Sequence, residues 1–349
     1  MSHKDSASST LSSTLVNPRR RALLAAVPAV LGAPLLGIDG MAFAQAAAPA
    51  RLTPFSFAWN QTSFCLTPIA VAKETGIFEK NGLDVSLVNY SGSTDQLLEA
   101  IATGKSDAAV GMIYRWLKPL EAGFDVKVVA GLHGGCMRLT AYKPTGITKV
   151  EELRGKTIGV PDLGAPSTHF FKVYLHKAGI DPEKDVTWRV YQRDLLGLAA
   201  EKGEIQAIAD TDPLLYKIER DSKAGFTELA TNASGEYHNR TCCVVGVGGK
   251  LLRENKPVVT ALTRSLVDAY DWTSQHIDES AKIFLKYTTN ITFEELKELY
   301  ATLNLHNHSV GADLHDEIAG YAKDFKDLGV LKASTDPVKY ADHVFEKVL

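Results

Sequence analysis

Polar residues that could bind an anion follow a predicted strand early in the chain. The strand covers residues 83–88, and Ser91, Ser93 and Thr94 lie between it and a helix predicted over residues 95–103. Free backbone N–H groups at a helix N-terminus, with hydroxyl groups beside them, form a site for an anionic or polar group. In open α/β sheets, ligands bind at loops of this kind, at the carboxyl ends of strands. The alternative is that these hydroxyls only cap their own helix.

Other predicted strand ends carry charged side chains. Arg115 follows the third strand and could hold a sulfonate, carboxylate or nitrate through paired hydrogen bonds, or it could be a solvated helix charge. Asp210 and Asp212 end a later strand and could accept from an amine or a ring N–H. Asp212 could instead cap the helix that begins at Pro213.

Aromatic and hydroxyl groups near these positions complete the predicted ligand site. Trp59 and Phe64 could form a pocket wall or be plain core residues, and Tyr237 lies just before the chain returns to its first half. The predicted ligand-binding residues are Trp59, Gln61, Thr62, Phe64, Ser91, Ser93, Thr94, Tyr114, Arg115, His133, Ser167, Thr168, His169, Asp210, Asp212 and Tyr237.

Imidazole and sulfur groups raise the question of a metal site. They suit soft or borderline cations, and the candidates are His133, Cys136, Met137, His169, Cys242 and Cys243. A His-x-x-Cys spacing alone is a poor signature, and Gly134 and Gly135 more simply allow a tight turn. We therefore predict no metal or other cofactor, and a metal or metal-chelate binding protein is the alternative. A disulfide from Cys65 or Cys136 to one of the adjacent pair, Cys242 and Cys243, stays open.

Enzyme chemistry finds little support in the sequence. Glu74 with Asp84, or Asp210 with His169, could be cast as acid–base pairs, but they lie on segments that the sequence does not bring within bonding distance. A nucleophile elbow, a cofactor loop and a metal-hydrolase spacing are all missing from the sequence. We predict that the chain is not an enzyme.

The first 44 residues have the organisation of an export signal. Three arginines, residues 19–21, precede an apolar run over residues 22–38, and an Ala-x-Ala site ends at Ala44. We predict cleavage after Ala44 and a periplasmic location. The arginine pair and long n-region are similar to a twin-arginine signal, with an ordinary Sec signal as the alternative. A retained anchor is disfavoured because the run contains Pro28 and Pro34 and is shorter than the roughly 20 residues that span a bilayer.

Charge and periodicity define the remaining chain. The formal charge of the whole chain is −3, and the signal carries an excess of positive charge, so the remaining chain is more acidic, which argues against nucleic acid as a partner. Strands alternate with helices of about 10–15 residues, a pattern typical of a mostly parallel sheet. The pattern occurs twice and is followed by a helical tail. It predicts an α/β protein of two lobes, which we expect to be a monomer.

Three stretches resemble the periplasmic binding proteins of ABC importers. They are PIAVAKETGIFEKNGLDVSLV at residues 68–88, GSTDQLLEAIATGKSDAAVG at residues 92–111 and LRGKTIGVP at residues 153–161. The resemblance is to the branch that includes sulfonate, taurine, nitrate and thiamine-precursor binders.

The resemblance implies a two-lobed receptor of type II topology. Lobe one would comprise residues 51–139 and 241–349, and lobe two residues 140–240. Such a receptor closes on a small polar organic molecule or oxyanion and delivers it to a permease in the inner membrane. The His133-Gly134-Gly135-Cys136 segment and the Cys242-Cys243 pair are not features of a known sulfonate or nitrate pocket, so the ligand is not transferred. A ligand-sensing receptor without transport is the alternative.

Overall fold

The computed structural model describes residues 51–90, 94–305 and 309–349. The predicted signal segment and two members of the predicted ligand site, Ser91 and Ser93, lie outside the described residues. Among the described residues, no helix combines the length and apolar character needed to cross a membrane.

Two five-stranded sheets form the framework. Strands β1 to β10 cover, in chain order, Thr53–Trp59, Leu83–Asn89, Ala108–Met112, Val126–His133, Met137–Tyr142, Thr157–Val160, Thr187–Val190, Ala207–Thr211, Phe226–Thr231 and Cys243–Gly248. The first sheet has the order β2-β1-β3-β10-β4 and the second β7-β6-β8-β5-β9. β1 pairs in parallel with β2 and β3, and β6 pairs in parallel with β7 and β8. β10 and β5 are the antiparallel members. The predicted α/β class is confirmed.

Helices flank both sheets. Helices α1 to α13 cover Thr67–Glu74, Ile77–Lys80, Thr94–Ala102, Ile113–Glu121, Pro166–Lys177, Leu196–Glu201, Leu214–Asp221, Gly249–Glu254, Lys256–Gln275, Ile277–Phe284, Phe293–Tyr300, Ala312–Asp327 and Pro337–Val344. The predicted helical C-terminal region is confirmed. Local chemistry is visible at α11, where the Thr292 hydroxyl accepts from the Glu295 backbone N–H and the Glu295 carboxylate accepts from the Thr292 N–H. This capping box satisfies two N–H groups that would otherwise lack partners.

The chain crosses between the sheets at two places. β4 ends in the first sheet at His133, and β5 begins in the second sheet at Met137. The return lies between β9 in the second sheet and β10 in the first. The lobe boundaries given above, at residues 139/140 and 240/241, remain a prediction.

Trp116 positions the start of α3 against the first sheet. Its ring is fully buried against β3 and β10. A Cβ atom added to Gly111 of β3 would lie 2.1 Å from a ring atom, and one added to Gly246 of β10 would lie 2.7 Å from a ring atom. The indole N–H donates to the carbonyl of Thr94 at 2.9 Å. Glycine is therefore required at both strand positions, and the first residue of α3 is fixed beside the end of β3.

Candidate functional site

A cavity of about 510 Å³ lies at the strand ends of both sheets. One wall follows β1 and β3 and includes Asn60 and Met112. The opposite wall follows β6, β7 and β8 and includes Pro161, Arg193 and Thr211. The cavity thus lies where the carboxyl ends of parallel strands meet, the position at which open α/β sheets bind ligands.

Four of the predicted ligand-binding residues line this cavity. They are Thr62, Thr94, Arg115 and Asp212. Thr62 is held by Asn60, whose side-chain oxygen accepts from the Thr62 N–H at 2.9 Å and from its hydroxyl at 2.7 Å. The Thr94 hydroxyl oxygen accepts from the Met112 N–H at 3.2 Å. Both hydroxyls are therefore already oriented by the protein.

Arg115 is paired within the protein. Its guanidinium forms a bidentate pair with Asp95, with Nε–Oδ1 and Nη2–Oδ2 distances of 2.8 and 2.7 Å. Nη1 donates to the Gly164 carbonyl and lies 3.4 Å from Asp162 Oδ2. The hydrogen bond to Asp95 raises the pKa of Arg115. Because Asp95 lies in the first turn of α3 beside the first sheet and Asp162 follows β6 of the second, Arg115 links the two walls.

Asp212 is part of a buried ion-pair network. Its Oδ1 accepts from Arg138 Nη2 at 2.8 Å and from the Tyr216 N–H at 3.0 Å. The second contact satisfies a backbone N–H in the first turn of α7, but the N-cap of this helix is Pro213 and its first residue is Leu214, so the expectation that Asp212 caps a helix beginning at Pro213 is wrong by one position. Arg138 also pairs with Glu219 at 2.7 Å. The contacts of Asp212 therefore hold the N-terminus of α7 against β5.

Two predicted aromatic residues lie in the core. Trp59 is buried and meets Tyr287 edge to face, with ring centroids 5.2 Å apart. Phe64 is buried against Tyr300 at 6.1 Å. Both positions correspond to the plain core interpretation that the sequence left open.

A second aromatic group surrounds Phe170. Tyr114 and Tyr237 contact its ring at centroid distances of 5.4 and 4.8 Å, and both tyrosines are buried. His169 packs edge-on against Phe325 at 5.4 Å. Burial lowers the pKa of His169, so the imidazole is held in its neutral form. These three predicted site residues lie outside the cavity lining.

Three further predicted residues hold the cavity loops through hydrogen bonds. The Ser167 hydroxyl donates to the Ala209 carbonyl at 3.4 Å, and the Thr168 hydroxyl to the Asp162 carbonyl at 2.8 Å. Gln61 donates its backbone N–H to the side chain of the asparagine that ends β2, at 3.2 Å. Ser167 thus ties the start of α5 to β8, Thr168 ties α5 to the loop after β6, and Gln61 fixes the loop after β1.

Several cavity residues were missed from sequence. They are Asn60, Ser63, Tyr191, Gln192 and Arg193. Arg193 is about half exposed, and its Nη2 lies 3.1 Å from Asp210 Oδ1. Asp210 itself is fully buried at the end of β8. The signal for Arg193 was available, because it follows a predicted strand over residues 186–191 as directly as Arg115 follows its own.

Asp210 is a buried carboxyl group whose charged form is destabilised by its surroundings. Burial raises its pKa to about 6, against the opposing attraction of Arg193. Its carboxylate oxygens form no aligned hydrogen bond with any described residue, so Arg193 acts as a nearby charge and not as a donor. Among the described residues the Arg193 guanidinium has this ion pair and no recorded hydrogen bond, so N–H donors remain available where it lines the cavity.

One imidazole and four thiols meet at the first-sheet side of the cavity. We call these residues the Cys/His cluster: Cys65, His133, Cys136, Cys242 and Cys243. All four cysteines are buried free thiols, and three of them, Cys65, Cys136 and Cys243, line the cavity. The Sγ atoms of Cys136 and Cys242 lie 3.6 Å apart, as unbonded thiols. Of the imidazoles considered for a metal site, His133 is in this cluster and His169 is not.

The fold and the cleft define the class of the protein. Two α/β sheets joined by two crossings, with a cavity at their facing strand ends, form the periplasmic binding protein fold. Residues 63–280 match the family model described as NMT1/THI5 like, which covers more than half of the chain. The chain belongs to this family.

Solved structures agree with this assignment of the fold. The periplasmic aliphatic sulphonate binding protein SsuA from Escherichia coli aligns over 84% of this chain and 92% of its own, with a TM-score of 0.70 and 15% identity. The periplasmic nitrate-binding protein NrtA from Synechocystis PCC 6803 aligns over 84% of this chain and 86% of its own, with a TM-score of 0.68 and 14% identity. The predicted resemblance to the SsuA- and NrtA-like binding proteins is confirmed at the level of the fold.

Two curated relatives differ in what their names describe. A Brucella abortus protein with a provisional binding-protein name is 25% identical over 288 residues, covering 78% of this chain and 84% of its own length. The 4-amino-5-hydroxymethyl-2-methylpyrimidine phosphate synthase THI11 of Saccharomyces cerevisiae is 32% identical over 107 residues, covering 30% of this chain and 31% of its own. The likeness to a binding protein therefore extends across most of the chain, whereas the likeness to the synthase is limited to 30% of it.

Proposed function

We propose that this protein is the substrate-binding component of an ABC importer, which captures a small polar molecule or oxyanion and delivers it to a membrane permease. The observation that supports this most is the cavity at the strand ends of both sheets. Its volume of about 510 Å³ lies in the range of small-molecule sites, roughly 300–1,000 Å³. Binding between two walls is the geometry that hinge closure requires.

The lining favours an anionic or strongly polar ligand. Arg193 offers a guanidinium with free donors, and the two oriented hydroxyls of Thr62 and Thr94 lie on the other wall. Guanidinium groups bind carboxylate and sulfonate oxygens through paired, charge-assisted hydrogen bonds. Sulfonates, nitrate, carboxylates and pyrimidine-like molecules are the candidates, and the solved neighbours named for sulphonate and nitrate support the first two.

Closure would be stabilised by contacts between the walls. Arg115 already spans them, from Asp95 beside the first sheet to Asp162 and Gly164 after β6. A ligand that contacts both walls adds to such links and shifts the population towards the closed form. We assign Arg115 to this bridging role, and Arg193 to direct contact with the ligand.

A binding screen tests this function. The full protein is heated with each of the four candidate ligand classes, and the true ligand should raise the melting temperature. A ligand at 100 times its Kd stabilises the folded state by about 2.7 kcal/mol. The ligand should be recovered chemically unchanged after incubation. Conversion of the ligand to a product would contradict the binding role and favour the chemistry of the synthase relatives.

Export is the second part of the proposal. We expect the protein to be secreted into the periplasm, where its first residue should be Gln45. Intact-mass analysis of the periplasmic fraction measures this directly. A cytoplasmic protein that retains residues 1–44 would contradict both the signal and the importer role, since a permease receives its substrate from the outer side of the membrane. The same fraction should elute as a monomer in size-exclusion chromatography.

A further inference from the structure

Three separate segments bring metal-binding side chains together in the Cys/His cluster. The Sγ atoms of Cys65 and Cys243 and a ring nitrogen of His133 all lie within 4.8 Å of one another. Cys65 lies in the helical turn before α1, His133 ends β4, and Cys243 begins β10. Cys243 faces His133 across the antiparallel pairing of their strands. The backbone ladder thus fixes two of these residues against each other.

The His133 ring has no hydrogen-bond partner among the described residues. It is fully buried, and both of its nitrogens lack a donor or an acceptor. A buried polar group without a partner costs about 1–3 kcal/mol, and such groups are few in native proteins. The nearest ring, Tyr270, is stacked at 6.3 Å and offers no hydrogen bond. A buried imidazole without a hydrogen-bond partner can serve as a metal ligand.

The sulfur groups beside His133 suit a thiophilic cation. Cys65 and Cys243 are both buried free thiols that line the cavity. The thiolate is the form of cysteine that binds metals.

The backbone next to the cluster is held in an uncommon conformation. Cys136 has φ of 90°, and it is the one non-glycine residue with a positive φ among those described. Such a conformation costs on the order of 1–3 kcal/mol and persists only where surrounding contacts impose it. Asn232 does so, because its amide donates to the Gly135 carbonyl at 3.2 Å and its oxygen accepts from the Met137 N–H at 2.8 Å. Backbone strain of this kind concentrates at functional sites.

We propose that Cys65, Cys243 and His133 bind a thiophilic d10 cation of the zinc class, with a fourth coordination position open to the cavity. Two thiolates and one imidazole are a tetrahedral zinc ligand set of the type that keeps one position free. Because Cys65 and Cys243 line the cavity, the ion can enter from it. Because cysteine binds a metal as the thiolate, zinc binding releases protons.

The test uses the full protein, reduced and stripped of metal. Titration with Zn²⁺ against a chelator should show one equivalent bound, with release of protons. Co²⁺ in place of Zn²⁺ should give a thiolate-to-cobalt charge-transfer absorption, which a site built from surface carboxylates and imidazoles would not produce. Failure of the reduced protein to bind one equivalent would overturn the proposal, and so would a cobalt spectrum without the thiolate band.

Single substitutions assign the ligands. Cys65→Ser, Cys243→Ser and His133→Ala should each weaken zinc binding by at least about 100-fold, since even second-shell changes cost 10- to 100-fold. His169→Ala is the matched control, because its imidazole is also largely buried but packs on Phe325 outside the cluster. It should leave zinc binding unchanged, and equal losses in all four variants would overturn the assignment. Cobalt spectroscopy of the unmodified protein decides the question for any variant that does not fold.

The zinc proposal is independent of the importer role. A receptor whose cluster stays empty could still bind an organic anion through Arg193, and a zinc site could exist in a protein that delivers nothing to a permease. A negative ligand screen would therefore contradict only the importer role, and a negative zinc titration would contradict only the zinc site.

Discussion

Replacing Arg193 by alanine is expected to weaken binding of an anionic ligand by roughly 10- to 100-fold. The Arg193 guanidinium lines the cavity, and its ion pair with Asp210 leaves donors free. A hydrogen bond to a charged group contributes about 1.5–3 kcal/mol, and each 1.4 kcal/mol corresponds to a tenfold change in Kd. Isothermal titration of the ligand found in the screen, with wild type and variant, measures the change.

Two other arginines make the result specific. Arg154→Ala is the matched control, because Arg154 is similarly exposed but pairs with Asp185 outside the cavity lining. It should leave Kd unchanged. Arg115→Ala should weaken binding less than Arg193→Ala does, because Asp95 already occupies the Arg115 guanidinium. An unchanged Kd for Arg193→Ala together with a large loss for Arg115→Ala would exchange the roles assigned to the two residues.

The second large effect is a change in the pH dependence of the free energy of unfolding when Asp210 is replaced by asparagine. The pKa of Asp210 is about 6 in the folded protein, whereas an unfolded aspartate has a pKa of about 3.9. Between these values the folded state keeps a proton that the unfolded state has lost. Asp210 therefore contributes stability that is present below about pH 4 and is lost as the pH rises through 6. The difference of about two pKa units corresponds to about 3 kcal/mol.

Asp210→Asn removes this titration. The free energy of unfolding of the variant, relative to wild type, should therefore increase by about 2 kcal/mol from pH 4 to pH 7. Urea denaturation at intervals across this range measures it, and the difference between the two proteins cancels the other titrating groups. Asp221→Asn is the control, since this exposed carboxylate has its pKa lowered by Arg220 and should not give an increase. Parallel profiles for wild type and Asp210→Asn would mean that Asp210 is not titrating in this range.

The sequence by itself determined the α/β class, the resemblance to periplasmic binding proteins and part of the cavity lining. Hydrophobic periodicity located strands such as β2 and β10 and helices such as α9, because alternation and helical spacing are local properties. The rule that ligands bind at the carboxyl ends of strands then selected loops that do line the cavity, including those of Thr62 and Asp212. The same rule, applied evenly, would have included Arg193.

Only the tertiary structure decided what each side chain does there. Arg115 has the residue type and the strand-end position expected of an anion-binding side chain. In the folded protein, however, Asp95 from another helix pairs with it. Cys65 was not among the metal candidates, because its link to His133 and Cys243 depends on strand order and on the pairing of β10 with β4. Trp59, Phe64 and Tyr114 lie in the core because their rings pack against aromatic residues far along the chain. The physical reason is the same in each case: residue type and spacing are local, whereas charge partners, burial and ligand geometry arise from long-range contacts formed on folding.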